Sequence, residues 1–195
     1  LTINDNRYGI TSYYGENNTF RDISLISNTL YGAWFYRTRD NVSLIDSEAY
    51  DNQNGIEIQE GPVNITNLNA SGNSKYGLYL EDVADSNFTN IITNSNSWYG
   101  LYLEKNCTNN TFINITSNSN SQIGIYSKDS SNSTFTNISI NSNILQGLML
   151  VSSYNNTIIN PTITNNNQNI DHRSNSRNIF ILNNSFGEIT WDSTN

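Results

Sequence analysis

A glycine followed by an apolar residue recurs at Gly9, Gly32, Gly55, Gly77, Gly100, Gly124 and Gly147, at spacings of 23, 23, 22, 23, 24 and 23 residues. A fixed period of this length predicts a solenoid, in which each repeat buries its apolar positions only against its neighbours. After the glycine, apolar and variable positions alternate, as in Ile56 and Ile58, Leu78 and Leu80, Leu101 and Leu103, Leu148 and Leu150. That period of two predicts a strand. Ten to twelve residues after the glycine a second apolar column runs through Phe20, Val42, Ile65, Phe88, Phe112, Phe135 and Ile158. Three residues later a third runs through Ile23, Ile45, Leu68, Ile91, Ile115 and Ile138.

An offset of three cannot leave both residues on one face of a straight strand, so the chain must bend between them. At the bend stand Asp22, Asn67, Asn90, Asn114, Asn137 and Asn160, with Leu44 as the exception. Asn and Asp adopt a left-handed backbone at least cost, and stacked coil on coil they predict a hydrogen-bonded ladder. A looser Asn column follows at Asn94, Asn118, Asn141 and Asn165. The pattern predicts an all-β chain, a parallel β-helix of about seven to eight coils with three short strands each, about 4.8 Å per coil. An eighth, degraded copy has Asn169 and Ile170 in place of the glycine pair, and the tail from Arg177 to Trp191 keeps some of the pattern. Residues 1–195 therefore read as a single domain whose terminal coils, 169–195, are degenerate. Leu1 opens inside a patterned segment without Met or cap, which predicts a piece of a longer protein.

Composition narrows the function. The 195 residues are 35% hydrophobic and only 13% charged, which suits a thin core wrapped in polar turns. A net charge of -8, with nine Lys and Arg spread along the chain, excludes a nucleic-acid partner and weighs against acidic polymers. Cys107 is alone, so there is no internal disulfide, and no His or Cys set has metal-ligand spacing; no metal or cofactor is expected. No apolar run is long enough to span a membrane. Twelve Asn-X-Ser/Thr sequons are candidate glycosylation sites, at Asn17, Asn41, Asn64, Asn69, Asn87, Asn106, Asn109, Asn114, Asn132, Asn137, Asn155 and Asn183.

The repeat seen in Tyr76-Gly77-Leu78-Tyr79-Leu80, then Asn109-Asn110-Thr111-Phe112, Asn114-Ile115 and Asn118, resembles the right-handed parallel β-helix proteins of the pectate-lyase-like superfamily. It is most similar to the NosD-like, Asn-rich repeats of archaeal surface proteins. The resemblance covers nearly the whole chain and implies the fold, with an extracellular or cell-surface location. It does not choose a function, because the superfamily holds lyases, hydrolases, epimerases, tailspikes, adhesins and non-enzymatic surface proteins. Enzymatic members resemble one another in clustering acids with basic groups on the outer face of the first strand. The nearest acids here are Glu57, Glu81 and Glu104, at unequal offsets from their glycines, and the only basic groups beside them are Lys105 and Lys128. Asp171, His172 and Arg173 are the one local set of titratable types, in a coil that is losing its pattern. The copper implied by the NosD name carries over to no residues.

Two residues after each glycine the side chain should point outward, and that column reads Thr11, Trp34, Glu57, Tyr79, Tyr102, Tyr126, Met149 and Asp171. Trp34, Tyr79, Tyr102 and Tyr126 form a candidate binding face. Such rings suit stacking within the sheet, a protein interface, or sugar rings. Tyr8, Tyr31, Tyr76 and Tyr99 should pack at the corner, and Cys107 should be a small packed residue in a turn where other coils carry Ala84 and Ser131. Open β-helix ends expose unpaired edges, so self-association or neighbouring domains are expected there. The leading expectation is a non-enzymatic extracellular or cell-surface structural protein, assembling end to end. The alternative is a carbohydrate-binding or adhesin module on the aromatic column. A polysaccharide lyase, hydrolase or epimerase would need two acids and a basic group within reach of one sugar, and none is expected.

Overall fold

The computed structural model describes residues 1–39, 42–174, 176, 177, 179–183, 190 and 191. Among them every regular element is a strand, and the strands pair in parallel with their counterparts one winding away. Two sheets result. The front sheet has nine strands: Tyr8–Tyr13, Tyr31–Tyr36, Asn54–Gln59, Leu78–Glu81, Leu101–Glu104, Ile125–Lys128, Gln146–Val151, Gln168–Arg173 and Thr190–Trp191. The back sheet has twelve and carries the second and third segments of each winding. Those segments fuse into one bent strand in Val42–Tyr50, Val63–Asn69, Asn87–Ile92 and Thr111–Thr116, and stay separate in pairs such as Thr134–Thr136 and Ser139–Asn141. About eight windings form a right-handed solenoid. Among the described residues no helix is long and apolar enough to cross a membrane.

The bend between the segments is a left-handed residue in every coil: Asp22, Asp46, Asn67, Asn90, Asn114, Asn137 and Asn160 have φ between 51° and 57°. From Asp46 onward their side chains form an exposed ladder, which the expected member Asp22 does not join because two carboxylates have no proton to share. Asn67 Nδ2 donates to Asp46 Oδ1 at 2.7 Å, Asn90 to Asn67 at 2.8 Å, and Asn114, Asn137 and Asn160 continue it at 2.9, 3.1 and 3.0 Å. One coil departs from the sequence reading. Val42 pairs with Val63, while Leu44 stands between Phe20 and Ile65, so Leu44 belongs to the second apolar column and Asp46 is the bend. Ser47, not Ile45, then pairs with Leu68. Val42 and Leu44 both fall within the ten-to-twelve-residue window, and the hydroxyl at 47 hides the third column. The looser Asn column likewise ends on Thr164: Asn118 N donates to Asn94 Oδ1 and Asn141 N to Asn118 Oδ1, but Thr164 Oγ1 meets Asn141 Oδ1, and Asn165 is a left-handed turn residue.

Inward columns fill the space between the sheets. Phe88, Phe112 and Phe135 stack face to face with centroids 4.7 and 4.6 Å apart, over the aliphatic layers of the front strands. The glycine column is explained by a second, buried amide ladder. In Asn28, Asn52, Asn73, Asn96, Asn120, Asn143 and Asn166, each Oδ1 after the first receives both the backbone N–H and the Nδ2 of its predecessor. The ladder runs against the glycines: a Cβ on Gly77 would lie 2.8 Å from Asn96 Nδ2, and one on Gly124 2.8 Å from Asn143 Nδ2 and 2.7 Å from the Gly147 carbonyl. Neither glycine has a positive φ. Close approach, not conformational freedom, requires glycine here.

Candidate functional site

Along the front sheet the register places Thr11, Trp34, Glu57, Tyr79, Tyr102, Tyr126, Met149 and Asp171 in one outward column. Two residues on, a second outward column reads Tyr13, Tyr36, Gln59, Glu81, Glu104, Lys128, Val151 and Arg173. The strand alternates its faces, so rings and polar groups of the two columns stand side by side.

The rings fall into two platforms. Tyr79, Tyr102 and Tyr126 stack at centroid distances of 5.2 and 5.0 Å, with planes 24° and 7° apart. Trp34 is separated from them by Glu57 and packs instead with Tyr8, Tyr13, Tyr31 and Tyr36 at 5.1 to 6.1 Å. Tyr76 and Tyr99 do lie at the corner, yet they also pack edge and face on the first platform at 5.3 to 5.5 Å. Trp98, 42% exposed, extends that platform round the corner, 5.8 Å from Tyr76, with Lys75 Nζ 5.0 Å over its ring. The outward rings are less open than their column suggests: Tyr102 is only 8% exposed, and Trp34, Tyr79 and Tyr126 are half-buried.

Polar groups edge the rings in one hydrogen-bonded line. Trp34 Nε1 donates to Gln59 Oε1 at 3.2 Å, and Gln59 Nε2 to Glu81 Oε2 at 2.9 Å. Tyr79 Oη donates to Glu104 at 2.8 Å and also meets Glu81 at 3.3 Å. Lys105 pairs with Glu81, and Lys128 Nζ with Glu104 at 3.2 Å. The sequence set Lys105 and Lys128 beside these acids but predicted no grouping of two acids with a basic group; the register brings two carboxylates, two ammonium groups and a phenol together. Burial pushes the Glu104 carboxyl up, but hydrogen bonds from Tyr79, Tyr102 and Lys128 outweigh it and hold the group below the usual carboxylate value. Burial, then the bond to Glu104, raises the Tyr79 and Tyr102 phenols, and burial with the neighbouring Tyr99 takes Tyr76 to about 12. Glu57, 5% exposed, is raised by burial, partly offset by a 2.6 Å hydrogen bond from Asn54 Nδ2 and by Lys75. The arrangement offers flat apolar faces flanked by charged acceptors and donors.

The remaining candidates lie elsewhere. Asp171 points outward and His172 into the inward column opposite Leu150, so they cannot act as one triad with Arg173. Cys107 is buried, with Sγ 3.4 Å from Leu80 O, and burial pushes its thiol up to about 11. Its counterparts in later coils are Ser153 and Ser176, whose hydroxyls reach back in the same way, not Ser131. Of the sequon asparagines, Asn41 lies outside the described residues; Asn64 is half-buried and the other ten are exposed. Of these eleven described asparagines, none is on a front strand. A groove of about 560 Å³ follows the bend of the back sheet between Asp22 and Asn90, but Asp46 is satisfied by Arg21 and Asn67, and Glu48 by Ser24.

Two family models match. The one described as "Right handed beta helix region" covers residues 59–190, and the one described as "Periplasmic copper-binding protein (NosD)" covers residues 1–114; the chain belongs to these β-helix families. No curated protein matches it in sequence. Among solved structures it is similar to the periplasmic alginate epimerase AlgG, with a TM-score of 0.85 at 15% identity over 95% of this chain and 49% of that one. It is also similar to the Azotobacter vinelandii mannuronan C-5 epimerase AlgE6 A-module, with a TM-score of 0.84 at 13% identity, 96% of this chain and 57% of that one. Tailspike protein 2 of the Escherichia coli O157:H7 bacteriophage CAB120 follows, with a TM-score of 0.76 at 13% identity, 97% of this chain and 34% of that one. The chain thus spans about half the length of these epimerases. These findings overturn the expectation of a non-enzymatic structural protein assembling end to end: the three structures just named, which share its fold across nearly the whole chain, are two epimerases and a tailspike. The copper in the second family's description finds no ligand set, since no group of three or more His, Cys, Asp or Glu side chains that could hold a metal ion occurs among the described residues.

Proposed function

We propose that the front sheet is a polysaccharide-binding face of a protein that works outside the cytoplasm. The observation that carries this is the stacked column of Tyr79, Tyr102 and Tyr126 bordered by Gln59, Glu81, Glu104 and Lys128. Apolar ring faces favour the C–H faces of sugar rings, while the adjacent charged groups bond their hydroxyls. The fold repeats this pair of columns at each winding, which matches a polymeric ligand better than a single small molecule. The epimerase and tailspike neighbours support the reading at the level of fold, and the periplasmic name of one matching family supports the location.

Binding of the intact chain to a polysaccharide panel, followed by titration calorimetry, tests it. Replacing Tyr79 or Tyr126 by Ala is expected to weaken binding about tenfold each, as for a ring in the centre of a contact. Tyr102→Ala is less informative because that ring is nearly buried. Full affinity in a Tyr79→Ala/Tyr126→Ala double variant would sink the proposal.

A second reading, chemistry on the bound polymer, is favoured by one observation: Tyr79 Oη touches both Glu81 and Glu104, each with its own lysine. Incubation with a bound polysaccharide and analysis of chain length and sugar configuration tests it, with loss of product in Glu104→Gln as the expected result.

A further inference from the structure

The sequon asparagines are not equivalent in the fold. Asn87, Asn106, Asn109, Asn114, Asn137 and Asn155 each donate Nδ2 to a side-chain oxygen one winding away, at 2.9 to 3.2 Å. A sugar on such an amide would have to displace that bond or stand against the neighbouring rung, about 4.8 Å off. Asn69 is placed differently. Its partners in register are Glu48 and Ile92, so no amide ladder passes through it, and the Glu48 carboxylate accepts from Ser24 Oγ at 2.7 Å. Its side chain is exposed at the end of Val63–Asn69 in the back sheet, away from the ring platforms.

The sequon Asn69-Ala70-Ser71 is also held in shape by its own hydroxyl. Ser71 Oγ donates to Asn69 Oδ1 at 2.6 Å and accepts from the Asn94 backbone N–H at 3.0 Å. The third residue of the sequon thus fixes the amide of the first, and is itself fixed by the next winding. With Oδ1 turned to the hydroxyl, Nδ2 and its two hydrogens face away from it. Beside this amide runs the groove of about 560 Å³ along the bend, whose lining includes Leu68, Asn69 and Ile92. Asp46 and Glu48 there are already bonded, but Ile92, next to Asn69 in register, is left 40% exposed. A pyranose ring has an apolar C–H face to cover such a side chain and a rim of hydroxyls for the polar walls.

We infer that Asn69 is an N-glycosylation site, with its first sugar seated in the bend groove against Ile92. Transfer forms a bond between Nδ2 and C1 of a sugar and breaks that sugar's C1–O bond to its diphosphate carrier. The carrier leaves with the bonding pair, and one Nδ2 proton passes to the transferase. The glycan stands on the back sheet and leaves the front face open, so the inference is independent of the polysaccharide-binding role.

The folded chain is incubated with a soluble asparagine glucosyltransferase and UDP-glucose, and occupancy of each sequon is followed by peptide mass spectrometry. Asn69 is expected to fill at least about tenfold faster than Asn114 or Asn137, which must give up a ladder bond. In a tryptic digest, where no winding remains to hold the ladder, that preference should fall away. Hydroxyl-radical footprinting then reads the seating. Oxidation of Ile92 is expected to drop at least about twofold in the glucosylated protein as the sugar covers it. Asn69→Gln, taken through the same reaction, should keep the unmodified level. Absence of sugar from Asn69, or equally fast filling of Asn114 and Asn137 in the folded chain, overturns the site. Unchanged Ile92 oxidation in the occupied protein overturns the seating in the groove.

Discussion

At the scale of single residues, the two front-face acids lie under opposite pressures, and this gives them opposite pH signatures. Burial raises Glu57, so the folded state prefers its protonated form. Its contribution is fully present below the ordinary carboxyl value of about 4.3 and is lost as pH rises through the folded value. Glu104 is depressed: burial is outweighed by bonds from Tyr79, Tyr102 and Lys128. Its contribution is present above the ordinary value and is lost as pH falls through the folded one. Glu57→Gln is therefore expected to raise the melting temperature at pH 7, and Glu104→Gln to lower it. Both differences should shrink on acidification below about pH 4. Thermal melts of the two variants from pH 3 to 8 check this, and a shared sign at pH 7 would contradict it.

Ladders are the elements that hold one winding on the next, and burial decides what each rung is worth. Asn120 accepts from both N and Nδ2 of Asn96 in a fully buried position. Asn120→Ala leaves those donors without this acceptor and is expected to cost about 2 to 4 kcal/mol. Asn114 is an exposed rung at φ 57°, so Asn114→Gly keeps the backbone and removes only two solvated amide bonds, to Asn90 and from Asn137, for about 1 kcal/mol. Urea titration of both variants measures the difference. The exposed ladder was legible in the sequence, apart from the coil where Val42 and Leu44 compete for one position. The buried ladder was not, because Asn is so abundant that a column of it does not stand out. Its signal was an Asn three or four residues ahead of each glycine from Gly32 to Gly147. The ring column was legible from a period of two after each glycine. Its division into two platforms depends on which neighbour each ring leans against, and no spacing encodes that.

At the scale of the whole molecule, each winding touches only the windings above and below, so stability is a chain of nearest-neighbour contacts. The front strands show how this varies along the solenoid. Tyr8–Tyr13 is half-buried or exposed throughout, Asn54–Gln59 is almost wholly buried, and Gln168–Arg173 opens again. Opening free energies should follow the same course, since a winding whose strand is buried must break more contacts to expose its amides than one whose strand is exposed. Hydrogen exchange followed by mass spectrometry is expected to show the slowest amides between Asn54 and Lys128 and the fastest in Tyr8–Tyr13 and Gln168–Arg173. Uniform protection would mean that the coils open as one unit. The graded outcome places the stacked tyrosines on the stiffest windings of the solenoid, where rings are held at fixed spacing and a polymer can be met without first ordering the surface that receives it.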